Sequence, residues 1–209
     1  QKAGKRLLRD FGEVENLQVS VKGPGDFVSQ ADLRAEESLR AGFAAASGAD
    51  LLVTIGGASV GDHDLVSKVA TDLGLQRAFY KIAMRPGKPL MAGRLGDMPM
   101  LVLPGNPVSA MVCGILFVQP LIAAMQGLRP AHRLAKARLA VEMRAEGDRQ
   151  HYLRATLEDS EDLPLIRPFP SQDSARLSLM AQADALLVRP PDDPARHAGD
   201  IVNFLSLRG

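Results

Sequence analysis

The sequence is poor in most of what would mark a specialised class. It holds one cysteine, Cys113, which excludes an intrachain disulfide and a zinc site built on thiolates. It has no tryptophan, and aromatic residues make up 4% of the chain, too few for a base-stacking nucleic-acid surface. Net charge is nearly absent. With 25 Lys+Arg against 24 Asp+Glu, the balance of +1 argues against nucleic-acid and membrane partners and requires any anion site to come from a local cluster. The histidines, His63, His132, His151 and His197, are scattered without metal-ligand spacing. No uninterrupted apolar run reaches the roughly 18 residues that cross a bilayer; the longest candidate, Ala110 to Met125, is broken by Gly114, Gln119 and Pro120. At the N-terminus Lys2, Lys5, Arg6 and Arg9 are followed by Asp10 and Glu13, with no apolar core of a signal peptide. The first residue is Gln rather than Met, which suits a fragment, and a cytoplasmic location is the expectation.

What is present is ordinary globular material: 209 residues, 46% apolar and 23% charged, enough for one large domain or two small ones. Residues 3–12 read as a short basic helix. Residues 16–30 read as a hairpin around Lys22-Gly-Pro-Gly-Asp26, and residues 31–46 as an amphipathic helix burying Leu33, Leu39 and Phe43. Asp50 to Ile55 is continuously apolar, as in a strand covered on both faces, and ends in Gly56-Gly57. A helix over about 64–73, a strand near 78–82, an apolar strand over 100–103 and a long helix over about 107–125 follow, the rhythm of a parallel α/β sheet. Beyond Arg129-Pro130 the periods shorten to strand alternation around Leu139, Tyr152, 163–170, 185–188 and 201–207, which predicts a small β domain.

Three constellations carry chemistry. In Gly56-Gly-Ala-Ser-Val-Gly-Asp-His-Asp64 the glycines Gly56, Gly57 and Gly61 permit close backbone approach to a ligand. Ser59 adds a hydroxyl, and Asp62 and Asp64 are hard oxygen ligands suited to Mg²⁺. A plain turn with Asp64 as a helix cap explains the same residues more blandly, and the spacing follows neither a dinucleotide fingerprint nor a P-loop. In Lys81-Ile-Ala-Met-Arg85-Pro-Gly-Lys88-Pro89 the cations Lys81, Arg85 and Lys88 sit on a proline-stiffened loop suited to an oxyanion; a solvated basic loop is the alternative. In Pro104-Gly105-Asn106-Pro107-Val-Ser109, Asn106 can cap the following helix and Pro107 fits its first position. Each is weak alone; together they gather at one edge of a sheet, where α/β proteins bind ligands.

These motifs, in this order and followed by a small β domain, resemble the molybdopterin molybdenumtransferase family of the MoeA and gephyrin E-domain type, over about residues 40–209. The resemblance implies a partial three-layer parallel-sheet domain of the molybdopterin-binding type over 41–128 and a β-barrel-like domain over 129–209. It implies insertion of molybdate into adenylylated molybdopterin with release of AMP, the help of Mg²⁺, and a homodimer. It places catalytic roles on Asp64, Lys81 and Arg85, the last standing where the family usually has Lys. It gives metal binding to Asp62 and Asp64. Ligand binding falls to Gly56, Gly57, Ser59, Gly61, Lys88, Pro104, Gly105, Asn106, Pro107 and Ser109, and in the β domain to Arg154 and Ser174.

Residues 1–40 instead resemble the N-terminus of inositol monophosphatases through Lys22-Gly-Pro-Gly-Asp-Phe-Val-Ser-Gln-Ala-Asp32, without that family's later acidic motifs. The transferase's first strand with its T-G-D-E-L motif is also missing, so the chain reads as a junction of two families near residues 36–42. Two other functions stand beside the transferase: a module that holds molybdopterin without turnover, and a Mg²⁺-dependent inositol-phosphate-type phosphatase. A strand deprived of its neighbour exposes open hydrogen bonds, so residues 16–46 are expected to pack over Asp50–Ile55 or leave that region to associate.

Overall fold

The computed structural model describes residues 19–23, 26–57, 65–129, 134–174 and 176–208. The short helix expected over 3–12 lies outside them. Val19–Gly23 (β1) and Asp26–Ser29 (β2) pair antiparallel as the expected hairpin and lead into Gln30–Ala45 (α1). That helix runs through position 40, where the sequence places the junction. Its Phe43 is buried with Val66, Val69 and Ala70 of Leu65–Asp72 (α2), while Leu39 is half-buried beside them. Arg40 bridges Glu36 (2.9 Å) and Asp72 (2.8 Å), and Lys68 reaches Glu36 (3.1 Å), so the rims of the two helices are stitched by charge.

These helices cover one face of a four-stranded sheet: Leu52–Ile55 (β3), Gln76–Tyr80 (β4), Met91–Leu95 (β6) and Met98–Leu103 (β7), in the order β3-β7-β6-β4. A two-residue strand, Met84–Arg85 (β5), lies between β4 and β6 in the chain but not in this sheet. Only β3 and β7 run parallel; β6–β7 is a hairpin turning at Gly96, and β4 pairs antiparallel with β6. The α/β expectation is met, with the parallel character confined to one pair. The strand expected over 50–55 is β3, but it is an edge: β7 is its neighbour, its residues are half-buried, and Ile55 is 69% exposed. α1 packs on the face of the sheet with α2, where Phe43 and Leu39 share a core with Leu52 of β3, so the expected cover reaches the strand's face but not its open edge.

On the opposite face lies one long helical run: Pro107–Cys113 (α3), a π turn over Gly114–Val118, and Gln119–Met125 (α4). By length and composition this run could cross a membrane. Here Val108, Val112 and Cys113 pack on Leu101 and Leu103 of β7. The π turn sits just before Pro120, which has no N–H to continue the ladder, and Gln119 N–H reaches back to Gly114 O.

The second unit is a closed five-stranded barrel: Ala135–Leu139 (β8), Gln150–Glu158 (β9), Leu165–Pro168 (β10), Ala185–Arg189 (β11) and Ile201–Ser206 (β12), in the order β10-β8-β12-β11-β9, with β10 pairing back onto β9. Its interior holds Leu139, Leu153, Ile166, Leu187 and Phe204. A short helix, Leu177–Gln182 (α5), precedes β11 and was not foreseen from the sequence. Two features join the units. β5 adds to the barrel as a strand parallel to β9, and Leu186, Val188 and Leu205 share a core with Leu90, Leu101, Val108 and Val112.

Candidate functional site

The motif loops meet where β3 and β7 end. Gly56 (φ +87°) donates its N–H to Leu103 O at 2.9 Å, and a Cβ on Gly105 would stand 3.4 Å from Gly56 Cα. The first glycine loop therefore lies backbone against backbone on the Pro104-Gly105 loop, a contact that side chains would hold apart. Gly57 continues in the same left-handed region (φ +79°). Ser59, Gly61, Asp62 and Asp64 lie outside the described residues.

Asn106 caps α3 as expected: its Oδ1 accepts the Ser109 N–H at 3.1 Å and the Ser109 hydroxyl at 3.4 Å, with Pro107 at the first turn. Its Nδ2 donates to Ser174 Oγ at 3.1 Å. One side chain thus fixes the helix start and ties it to the barrel unit.

The basic loop divides. Gly87 has φ +113°, and a Cβ there would lie 2.7 Å from Cys113 Sγ and 3.0 Å from Met84 Cε. Only glycine lets the loop press this closely on α3, and that contact leaves Arg85 and Lys88 exposed at the rim of a cleft of about 510 Å³ between the units. Lys81 does not line this cleft. It sits at φ +66°, donates its backbone N–H to Leu90 O, and rests its ammonium 4.8 Å above the Tyr80 ring.

The barrel supplies the opposite wall: Arg149, His151, Arg154 and Ser174. Arg154 is 2% exposed and donates to Arg176 O (3.0 Å), Asp173 O (3.1 Å) and Gln172 Oε1 (3.4 Å). Burial lowers its pKa, with Asp173 pulling the other way. It holds Gln172, Asp173 and Arg176, and with them the neighbouring Ser174, in place. The sequence reading missed Arg149 and His151, although the run Asp148-Arg-Gln-His-Tyr-Leu-Arg154 carries three basic residues within six positions of an alternating segment.

His151 is buried, and its Nδ1 lies 3.2 Å from both Glu146 carboxylate oxygens. Burial pushes its pKa down against the pull of Glu146, and the charges of Arg85 and Arg189 add to the lowering. The parallel register of β5 on β9 sets Arg85 beside it.

Chemically this is a polar cleft with exposed cations at its rim and a hydrogen-bonded floor, fit for a phosphate or another oxyanion. It offers little nucleophilic power. The Ser109 hydroxyl is engaged with Asn106, and the buried Cys113 thiol is pushed up to about 12 by desolvation. Among the described residues no group of three or more His, Cys, Asp or Glu comes together to hold a metal. A larger cavity, about 780 Å³ and bounded by Phe43, Asp50, Leu73 and Met98, lies at the other end of β3 and β7 and contains no motif residue.

Residues 28–124 match the family described as a probable molybdopterin binding domain, and residues 136–207 match the MoeA C-terminal region (domain IV). A molybdopterin molybdenumtransferase from Nostoc sp. is 33% identical over 169 residues, covering 78% of this chain and 39% of the relative. One from Haemophilus influenzae is 50% identical over 88 residues, covering 42% of this chain and 22% of the relative. The crystal structure of a molybdopterin biosynthesis MoeA protein from Pyrococcus horikoshii superposes with a TM-score of 0.66 at 28% identity, over 83% of this chain and 41% of that one. The chain therefore spans about two fifths or less of the length of these relatives.

Proposed function

Residues 28–124 and 136–207 make this chain a member of the molybdopterin-binding and MoeA C-terminal domain families, and from that premise we propose that it acts in molybdenum cofactor biosynthesis, inserting molybdate into adenylylated molybdopterin with release of AMP. The matches do not favour the phosphatase reading of residues 1–40. The working units are 41–128 and 129–209, in the cytoplasm and as a homodimer.

The observation that carries the proposal is the cleft in which Arg85 and Lys88 of one unit face Arg149, Arg154 and Ser174 of the other. Adenylylated molybdopterin and molybdate are both anionic. Arg85, Lys88 and Arg149 attract them and stabilise the charge that builds on phosphate as AMP leaves. Ser174, held by Asn106, and the Arg154-pinned loop orient the ligand. Cleavage of a phosphoanhydride in this way needs no protein nucleophile, in keeping with the engaged Ser109 and the inert Cys113. Mg²⁺ belongs to the proposal through Asp62 and Asp64 alone. The described side chains do not assemble a metal site.

The test is AMP release from adenylylated molybdopterin with molybdate and Mg²⁺. Release is expected from the chain and should fall at least tenfold in Arg85→Ala/Lys88→Ala. A folded chain that binds molybdopterin but releases no AMP is a holding module and not a transferase.

A further inference from the structure

His151 lines the cleft among permanent cations, and it is the only lining side chain whose ordinary pKa lies near neutral. It is 6% exposed, so its ring is fixed by its surroundings. Glu146 accepts at Nδ1, because a carboxylate has no hydrogen to donate. The neutral ring therefore carries its hydrogen on Nδ1 and leaves Nε2 as a bare acceptor. Nε2 has no hydrogen-bond partner among the described residues, and His151 borders the cleft.

The charged groups around the ring come from every element packed on it. Glu146 faces it from the 140–149 loop, Arg189 from β11 and Arg85 from β5, with Arg149, Lys88, Arg154 and Asp173 lining the same cleft. Glu146 is shared, since Arg189 Nη1 lies 3.9 Å from it. With burial and two guanidiniums outweighing one carboxylate, the ring of the empty cleft is neutral at pH 7.

We propose that His151 is the proton-coupled specificity residue of this cleft: Nε2 meets a phosphate-type dianion and takes up one proton from solvent as the dianion binds. The proposal rests on the reading of the cleft as an oxyanion site. A dianion beside Nε2 counteracts the field of Arg85 and Arg189 and supplies the acceptor that an Nε2–H requires, so it favours the imidazolium. By linkage, protonation must favour the dianion by the same factor. Affinity is then highest below the pKa of the empty-cleft ring. It falls toward a limit of tenfold per pH unit between that pKa and the higher one of the occupied cleft. The fixed cations draw in any anion, whereas His151 discriminates by charge state.

Sulfate is the probe, because it stays a dianion from pH 5 to 8, the range in which His titrates. Its binding to the full chain is followed by chemical shifts, and the ring state by the ¹⁵N signals of the His151 side chain. The dissociation constant for sulfate should rise several-fold or more per pH unit over part of this range. At pH 7, saturating sulfate should convert His151 from the Nδ1–H tautomer to the imidazolium. His151→Gln should bind with a constant that does not vary with pH. The wild-type ring signals decide the matter even if this variant does not fold. A pH-independent constant with an unchanged ring overturns the role of His151 and leaves the anion cleft standing. Failure to bind both sulfate and molybdopterin overturns the cleft reading and this inference together.

Discussion

The barrel and the sheet solve the same problem in opposite ways. The barrel closes on itself, with β10 pairing to both β8 and β9, so no strand is left with an open side. All five residues of β11 are buried. The sheet has two edges. β4 is exposed along most of its length, and β3 ends in the exposed Ile55. Thr54 Oγ1 on β3 is the only buried side-chain polar atom without a hydrogen-bond partner among the described residues. Burial is thus more complete in the barrel, while Gly56-Gly57 and the Pro104-Gly105 loop belong to the less closed unit. The cleft draws on both: a firm wall from β9 and a loop wall from β5.

The largest effect should come from the barrel's buried charge. Arg189 is completely buried, donates to Arg144 O (3.2 Å) and Pro194 O (2.8 Å), and pairs with Asp193, which also pairs with Arg196. Arg189→Ala leaves that carboxylate half-partnered and should cost about 3–5 kcal/mol in denaturant unfolding. Its pH dependence has a definite sign. Burial alone would raise the pKa of Asp193, but hydrogen bonds from Arg196 and Arg189 hold it below its ordinary 3.8. That stability is present above the unfolded value and is lost as pH falls through the folded one. The gap between wild type and variant should therefore narrow below about pH 4, which unfolding curves at pH 3 and 7 would reveal.

Matched truncations compare the units directly. Leu187→Ala in the barrel empties a fully buried site and should cost about 2–5 kcal/mol, whereas Ile55→Ala on the β3 edge should stay within about 0.5 kcal/mol. Equal costs would mean that β3 is covered in solution, and the contrast drawn above would fail.

A smaller effect is expected where the units' shared core meets the cleft. Gly87→Ala puts a methyl 2.7 Å from Cys113 Sγ at a positive φ, and should cost about 1–3 kcal/mol. Adding Cys113→Ala should recover the steric part and leave the backbone part, so the double variant should fall between Gly87→Ala and wild type. Calorimetric melting temperatures of the three proteins would order them.

Much of this was legible from residues alone. Gly56-Gly57, Arg85-Pro-Gly-Lys88 and Pro104-Gly-Asn-Pro107 announce loops because glycine and proline constrain the backbone locally, and the barrel strands announce themselves by alternation. What was hidden depends on partners distant in the chain. β5 is two residues long and has no periodicity; only its register on β9, more than sixty residues away, sets Arg85 beside His151. Lys81 and Lys88 are the same residue type, yet the first lays its ammonium on the adjacent Tyr80 and the second, seven residues on, reaches the cleft, a choice made by the fold around them. The edge position of β3 is hidden for the same reason: Leu52 and Val53 pack on the two faces as the apolar run suggests, while one side of the strand has no partner strand among the described residues. An apolar run shows that a strand is suited to burial, but only the sheet order shows what lies on either side of it.

The smallest effect separates a local cap from a bridge between units. Asn106 does two things with one amide: Oδ1 caps α3 through the Ser109 N–H, and Nδ2 donates to Ser174 Oγ of the barrel unit. Asn106→Asp keeps the acceptor and removes the donor, while Asn106→Ala removes both. Loss of the cap should cost about 0.5–2 kcal/mol. Asn106→Ala should therefore be the less stable of the two, and Asn106→Asp should lie near wild type in unfolding experiments. Ligand binding should rank them differently. Asn106→Ala loses the bond that positions Ser174, whereas in Asn106→Asp the Ser174 hydroxyl can turn to donate to the carboxylate. Asp nevertheless adds a negative charge beside Ser109 and Ser174 of the anion cleft, so Asn106→Asp should bind sulfate more weakly than Asn106→Ala. The opposite ranking in binding would mean that Asn106 serves the helix alone and that the two walls of the cleft are set independently.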